Sequence, residues 1–298
     1  MSPILVDLPA SDGPVTIDDA TGSPVTLHET ATRRLHSVSG LVAIPTPRAS
    51  IRSRPTAHGV IDETHWTDGR LVALEGFIFG EDRAAAIREL RLIEKPLLET
   101  LDNGPALLKW TEQGNGGLAL QAAVKLASDV ELVLEGGPPI LRYQAQLLAQ
   151  DPRAYSQTLT TATGGTIGTS PGGMTFPRTF PITFAASAGG TVAVSNEGNR
   201  PTPAMFRLYG GVTDAQILLV GTAKKIAISG TIAPGDYLEI DAQARTMMLN
   251  GTSSALHYLD PAATTWFELP VGTSTIQAFA FAFDAVARCD VLYRSAYA

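Results

Sequence analysis

The sequence contains very little cysteine and no surplus of basic residues. Its one cysteine, Cys289, excludes a disulfide framework within the chain and any metal site that needs several thiolates. Charged residues make up 17% of the 298 positions, and the formal net charge is −7. This charge opposes tight binding to nucleic acid or to an anionic membrane surface, because phosphate neutralisation needs clustered lysine and arginine. We therefore expect no direct nucleic-acid partner and a fold stabilised by packing.

Long hydrophobic runs and a secretory pattern are also missing. The most apolar stretch, residues 276–287, is too short to span a bilayer and contains Asp284. Residues 1–14 show no basic region before an apolar core, so we expect no secretory signal and synthesis in the cytoplasm. The 44% of apolar residues instead predict a packed globular protein without membrane insertion.

Short apolar runs that favour β-strands dominate the chain. In the first half, residues 71–79 predict a strong strand, and Gly76 inside it indicates a bulge or a close backbone approach. Further first-half strands are expected over residues 106–110, 118–124, 130–134 and 140–148. In the second half, runs without helical period recur at the spacing of a sandwich, from residues 180–184 and 191–195 to 275–283 and 288–293.

One segment, residues 81–94, has the pattern of an amphipathic helix. Its apolar residues follow helical spacing, Glu81 and Asp82 are expected in the first turn, and Pro96 is expected to stop the helix. We interpret this helix as a cover for one open side of a β-sheet. The fold class predicted is thus mainly β with one helix in the first half.

A change of composition at residues 151–165 indicates a domain boundary. Small and hydroxyl residues replace the alternating pattern there, and Asp151 followed by Pro152 interrupts regular structure. We predict a first domain over residues 1–155, a linker over 156–165 and an all-β second domain over 166–298. Asn250–Gly251 predicts a tight hairpin turn in the second domain, which we expect to be a jelly-roll-like sandwich.

Motifs for nucleophilic or metal chemistry are isolated. Ser170 lies in a Gly-x-Ser-x-Gly pattern, but prolines follow where a nucleophile elbow requires a helix. The five histidines, His28, His36, His58, His65 and His257, lack metal-ligand spacing. The nearest mixed cluster is interpreted as a solvated loop and consists of His58, Asp62, Glu63 and His65. We therefore predict no catalytic residue, cofactor or metal, with a hydrolase using Ser170 as a rival hypothesis.

Paired carboxylates allow a second rival, a glycosidase, because two acids must flank the bond that is hydrolysed. The pairs are Asp18 with Asp19 and Asp236 with Asp241. Turns at both ends of one short strand explain the second pair. Asn250-Gly251-Thr252 also matches a glycosylation acceptor, for which a hairpin turn is the simpler interpretation.

A family resemblance emerges from the order of several short motifs. The second-half residues that carry it are Asn196, Gly198, Asn199, Pro201, Gly210, residues 228–232, Gly235, Asp236, Leu238, Ile240, Asp241, Arg245, Asn250, Gly251, Trp266, Leu269, Pro270 and Gly272. The first-half residues are 75–80, with the helix after them, and Leu148, Asp151, Pro152, Arg153 and Tyr155. From about residue 38 to the end, the chain resembles siphophage-type distal tail proteins, the hub family of phage tail tips.

This resemblance implies an N-terminal belt-like split barrel and a C-terminal jelly-roll or galectin-like β-sandwich. It further implies a structural virion protein that forms a homohexameric ring in the virion tail, between the tail tube protein and the tail-tip hub or receptor-binding proteins. For the ring interface we single out Phe77, Ile78 and Phe79. For the junction between the domains we single out Asp151, Pro152 and Arg153.

The alternative function is that of a carbohydrate-binding module that recognises host surface glycans. Aromatic side chains with polar neighbours are the usual means by which β-sandwiches hold sugars. Tyr258 and Trp266 are our candidates for such a glycan platform.

Overall fold

The computed structural model describes most of the chain. The described residues are 15–19, 21–27, 30–41, 45–48, 51–54, 56–62, 66–112, 117–128, 130–135, 140–169 and 190–298. The strand expected over residues 180–184 lies outside them.

The described elements follow one another in this order. The first group is β1 (Thr16–Asp18), β2 (Pro24–Thr26), β3 (Arg33–Ser39), β4 (Pro47–Arg48), β5 (Ile51–Ser53), β6 (Val60–Asp62), β7 (Trp66–Thr67), β8 (Arg70–Phe79), α1 (Arg83–Asp102), β9 (Ala106–Glu112), β10 (Leu118–Leu126), β11 (Glu131–Glu135), β12 (Ile140–Ala149) and β13 (Ala154–Ser156). The second group is β14 (Thr160–Ala162), β15 (Gly168–Thr169), β16 (Thr191–Asn196), β17 (Ala204–Tyr209), β18 (Val212–Leu219), β19 (Lys225–Ala227), β20 (Thr231–Ile232), β21 (Tyr237–Asp241), β22 (Thr246–Leu249), β23 (Ser253–Ser254), a 3₁₀ helix (Leu256–Tyr258), β24 (Gly272–Phe283), β25 (Cys289–Tyr293) and β26 (Ala296–Tyr297).

The chain divides into two compact units. The first unit comprises Met1–Gln157 with Tyr297–Ala298, and the second comprises Thr158–Ala296. Within the segment where the sequence predicts a linker, residues 156–165, strand β14 pairs with β25 of the second unit. The predicted fold class is confirmed, since the structure is mainly β with its α-helix in the first half.

An antiparallel sheet forms the body of the first unit. Its strand order is β2-β1-β9-β10-β12-β8-β3, with β11 on β12 and β13 on β10. Strands β8 and β12 pair over their full length, from Arg70 opposite Ala149 to Phe79 opposite Ile140. Alternate side chains of both strands are buried on the face that meets α1, among them Leu74, Ile78 and Leu147.

Helix α1 is longer than the sequence predicted, because Pro96 does not end it. The helix begins at Arg83, Asp82 is its N-cap and accepts from the Ala85 N–H at 2.6 Å, and the helix ends at Asp102. A proline inside a helix costs about 3 kcal/mol through its missing donor. Burial of Pro96, Leu97 and Thr100 against the sheet offsets this cost, since a fully buried leucine contributes about 1.5–3 kcal/mol.

Gly76 occupies a position where a side chain has no room. A Cβ there would lie 2.6 Å from the ring of Tyr143, its partner on β12. The neighbouring strand β3 has a register shift between Leu35 and Ser37, opposite Gly76 and Glu75. The close approach at Gly76 is thus made by the side chain of Tyr143 and not by a backbone, and the irregular pairing lies between Leu35 and Ser37 of β3.

Two sheets packed face to face form the second unit. One sheet has the order β14-β25-β17-β21-β22-β23, and the other has the order β15-β24-β18-β19, with β16 on β24 and β20 on β18. Phe206 and Leu238 from the first sheet share a core with Ile217 and Ile276 from the second. The unit is thus the predicted β-sandwich.

Candidate interface and binding surfaces

The sheet of the first unit has one face that α1 does not cover, which we call the open face. It is defined by the side chains of β8 and β12 that alternate with the buried ones: Leu71, Ala73, Glu75, Phe77, Phe79, Ile140, Arg142, Gln144, Gln146 and Leu148. Strand periodicity places successive side chains on opposite faces, so this set follows directly from the register.

The open face is apolar at both ends and charged in the middle. At one end Leu71 and Leu148 lie directly opposite each other and are 52% and 38% exposed. At the other end Phe79, which is 37% exposed, lies opposite Ile140. Between them, Arg142 Nε donates to Glu75 Oε1 at 2.7 Å. A surface that combines paired exposed leucines with an ion pair has the composition of a protein–protein interface, so another protein can bury it.

The residues predicted for a ring interface divide between the two faces. Phe79 and the half-buried Phe77 belong to the open face, where the His36 ring stands edge-on to Phe77 at 5.5 Å between centroids. Ile78 is fully buried in the core of the first unit. Its side chain is therefore not available to a neighbouring subunit, because it points to the side that α1 covers. Leu71, which was not predicted, is more exposed than any of the predicted residues, and Leu148 is about as exposed as Phe79. Their positions at the ends of the alternating runs were their sequence signal.

The predicted junction residues form a compact hydrogen-bonded group. The carboxylate of Asp151 accepts from Arg153 Nε at 2.9 Å, from Arg153 Nη2 at 3.0 Å and from the Tyr155 hydroxyl at 2.6 Å. Burial raises the pKa of Asp151, but the hydrogen bonds from Arg153 and Tyr155 outweigh it and hold the pKa below its usual value. Asp151 is therefore an ionised anchor for the segment that follows β12.

Arg70, which the sequence did not single out, ties that segment to the sheet. Its side chain is 2% exposed, and Nε donates to the Pro152 carbonyl at 3.0 Å. Nη1 donates to the carbonyls of Gly40, at 3.1 Å, and Leu41. Burial lowers the pKa of Arg70. An arginine at the start of a strand carries no signal for this role, since its three acceptors are backbone carbonyls from distant segments.

The two aromatic residues predicted as a glycan platform pack partly against the core of the second unit. Tyr258 ends the 3₁₀ helix, and its ring lies 3.1 Å from the position that a Cβ of Gly230 would occupy. Its hydroxyl donates to the Thr231 carbonyl at 3.4 Å. Part of each ring, of Tyr258 and of Trp266, is thereby committed to packing, and glycan binding at these residues stays a prediction.

Another aromatic group lies on the outer side of the sheet that contains β17, β21 and β25. The rings of Tyr209 and Tyr237 are 5.8 Å apart, and the Arg288 guanidinium lies 3.9 Å from the centroid of Tyr209. Arg207 Nε donates to Glu239 at 2.8 Å. Because these groups cover one another across the strands, we interpret them as a cross-strand ladder that stabilises the sheet.

The paired acids have structural partners. Asp18 accepts from Lys109 Nζ at 2.5 Å, and hydrogen bonds from Thr21 and Ser23 lower the pKa of Asp19 to about 2. Asp236 accepts from the Asn250 side chain, and Asp241 accepts from two backbone N–H groups of the following turn. These contacts support the turn interpretation of the second pair, and they give the first pair an ion pair to Lys109 and hydrogen bonds from Thr21 and Ser23.

Ser170, His28, Glu63 and His65 lie outside the described residues. Within the described ranges, no group of three or more histidine, cysteine or acidic side chains could hold a metal ion. In the same ranges, no helix combines the length and apolar character needed to cross a membrane.

Comparisons with known proteins agree with this architecture. Residues 197–297 match the family described as siphovirus-type tail component, C-terminal domain. This match, over the second unit, agrees with the resemblance to siphophage-type distal tail proteins that the sequence motifs indicated. The match also agrees with the location in the virion tail that this resemblance implies. No curated protein sequence matches it.

Solved structures show the same fold along nearly the whole length of this chain. One is the crystal structure of Dit from phage SPP1, described as a paradigm of the hub adsorption apparatus in phages that infect Gram-positive bacteria. It superposes with a TM-score of 0.66 at 12% identity, over 95% of this chain and 99% of Dit. The activated, calcium-bound baseplate of phage P2 contains a chain with a TM-score of 0.57 at 12% identity, over 94% and 97% of the two chains.

Several motif residues of this chain now have a physical explanation. Asn196 is buried, and its side chain donates to the Arg200 carbonyl at 2.7 Å and accepts from the Gly198 N–H at 3.1 Å. A Cβ at Gly198 would lie 1.8 Å from the Ala296 carbonyl oxygen. The asparagine and the glycine are therefore required by a close approach of the loop after β16 to the last strand.

Proposed function

We propose that this chain is a distal tail component of a virion, and that it assembles into a homohexameric ring that joins the tail tube to the host-recognition apparatus. In this proposal the first unit builds the ring. The tail tube protein and the tail-tip hub or receptor-binding proteins are its other partners. The observation that carries the proposal is the open face of the first unit, together with the likeness in fold to a protein described as an adsorption hub.

The open face fits a closed ring for physical reasons. A head-to-tail interface that closes on itself must bury a patch on each subunit against a different patch on the next one. Standard interfaces bury about 800 Å² per partner, with a few apolar side chains contributing most of the energy. Leu71, Leu148 and Phe79 supply such side chains, and the terminal strands β2 and β3 of the described sheet offer edges that a neighbour can pair with.

The proposed role is structural and involves no catalysis. The acids that were candidates for hydrolysis are bound in turns and ion pairs, and the relatives in fold are tail and baseplate proteins. An esterase using Ser170 would contradict this proposal, and replacement of Ser170 by Ala should leave assembly unchanged.

Oligomeric mass is the direct test of the ring. We expect the purified full-length chain to form a six-fold ring in light scattering and negative-stain images, in a concentration-dependent manner. Leu71→Asp should shift the population to smaller species, because a charge in an apolar interface is left without a partner. The matched control is Leu101→Asp on α1, since Leu101 is 62% exposed on the opposite side of the sheet.

Two results would overturn the proposal. One is a wild-type chain that stays monomeric both alone and with its tail tube partner. The other is a Leu71→Asp variant that assembles as well as the Leu101→Asp control while circular dichroism shows both to be folded.

A further inference from the structure

Asn-Gly pairs are the feature of this chain that general peptide chemistry marks as reactive. The backbone nitrogen of a glycine is not shielded by a side chain, so it can attack the side-chain amide of a preceding asparagine. The sequence has three such pairs: Asn103–Gly104, Asn115–Gly116 and Asn250–Gly251. The first and the third lie in the described residues and differ in how the asparagine side chain is held.

Asn250 is fixed in a tight hairpin turn between β22 and β23. Both Asn250 and Gly251 have positive φ, 53° and 68°, and the Thr252 N–H donates to the Leu249 carbonyl at 3.1 Å. The Asn250 side-chain oxygen accepts from the Tyr237 N–H at 3.0 Å, and its Nδ2 donates to Asp236 at 2.9 Å. The amide must leave both hydrogen bonds before the Gly251 nitrogen can reach it.

Asn103 has no such restraint. It is the C-cap of α1, and only its backbone N–H takes part in a bond, to the Glu99 carbonyl at 2.8 Å. Its side chain is exposed and makes no hydrogen bond to any residue in the described ranges. A Cβ on Gly104 would meet nothing within 4 Å, so the space beside its Cα is open.

We propose that, of the two Asn-Gly pairs in the described residues, Asn103 is the site of spontaneous deamidation, and that Asp236 and the Tyr237 N–H protect Asn250 from the same reaction. The Gly104 nitrogen attacks Asn103 Cγ, a C–N bond closes a succinimide ring, and the side-chain amide leaves as ammonia. Water then opens the ring at either carbonyl and yields aspartate or isoaspartate, so that water is consumed and ammonia released.

The modification changes the end of α1. It places a carboxylate beside Asp102 at the helix C-terminus, where the helix dipole already disfavours negative charge. The isoaspartate product also lengthens the backbone between α1 and β9. A tail protein is not replaced once the particle is released, so such a change accumulates with particle age.

The rates at the three pairs can be measured in one experiment on the full chain. The protein is incubated at mildly alkaline pH, which favours loss of the glycine N–H proton, and is digested with trypsin at intervals. The peptides over residues 92–109, 110–125 and 246–288 separate the three pairs. We expect Asn103 to gain the mass of an amide-to-acid conversion at least about tenfold faster than Asn250, because two hydrogen bonds hold the second amide.

Variants make the test decisive. Asn103→Gln should abolish conversion in peptide 92–109, since the longer side chain closes a ring reluctantly. Asp236→Ala should speed conversion of Asn250, and in the chemically unfolded chain the two pairs should react at similar rates. Conversion of Asn250 as fast as Asn103 in the folded chain would overturn the proposal. So would an Asp236→Ala variant that folds, by circular dichroism, and protects Asn250 as well as the wild type.

Discussion

In the second unit two sheets bury their inner faces against each other, whereas in the first unit a single helix covers one side of the sheet. The outer side of the β17 sheet carries an ion pair between Arg207 and Glu239 and a tilted pair of rings, those of Tyr209 and Tyr237. The open face of the first unit instead leaves paired leucines exposed. The comparison teaches that side chains of the second unit cover the outer side of its β17 sheet, while the open face of the first unit has apolar surface that a neighbour can bury.

The largest loss of stability is expected from a substitution in the core of the second unit. Phe206 is fully buried, and Phe206→Ala is expected to lower the free energy of unfolding by about 3–5 kcal/mol through lost burial and a cavity. Leu71→Ala on the open face should change it by roughly 0.5 kcal/mol or less in the monomer. Urea denaturation of the chain under monomeric conditions measures both. An equal loss in the two variants would show that Leu71 is buried within its own subunit.

A smaller loss of stability is expected on the face of the first unit's sheet that α1 covers. Gly76→Ala places a methyl group against the Tyr143 ring and should cost about 1–3 kcal/mol by overpacking. The matched control is Gly165→Ala, where a Cβ meets nothing within 4 Å. Thermal unfolding should show a lower melting temperature for the first variant and little change for the second. Similar melting temperatures would mean that Tyr143 yields without strain.

The smallest loss of stability is expected at Asp151, the anchor of the segment after β12, and this loss depends on pH. The folded-state pKa of Asp151 lies below the ordinary value of 3.8, so its stabilisation is present above that value and is lost as the pH falls through the folded-state pKa. Asp151→Asn should therefore cost about 1 kcal/mol near neutral pH. The difference in the free energy of unfolding between the variant and the wild type should disappear in acid. A gap that persists unchanged below the folded-state pKa would assign the effect to packing.

The agreement between sequence and structure is uneven, for identifiable physical reasons. The alternation in β8 and β12 could be predicted because strand side chains have a period of 2. The turn at Asn250–Gly251 could be predicted because few residue pairs tolerate two positive φ angles. The predicted end of α1 was wrong, because the burial that offsets the cost of Pro96 comes from contacts with a sheet that is distant in sequence. Local rules describe a proline accurately only where no tertiary contact competes with them.

By itself the sequence determined the class of the fold, the alternation of its strands, the tight turn of the second unit and the order of motifs typical of distal tail proteins. The tertiary structure alone decided which side of each alternating strand is buried, so that Ile78 belongs to the core and Leu71 to the surface. It also decided that Arg70 binds three distant carbonyls and that Tyr297 packs against the core of the first unit. Periodicity states which residues share a face, but only contacts between segments far apart in the chain select the face that excludes water.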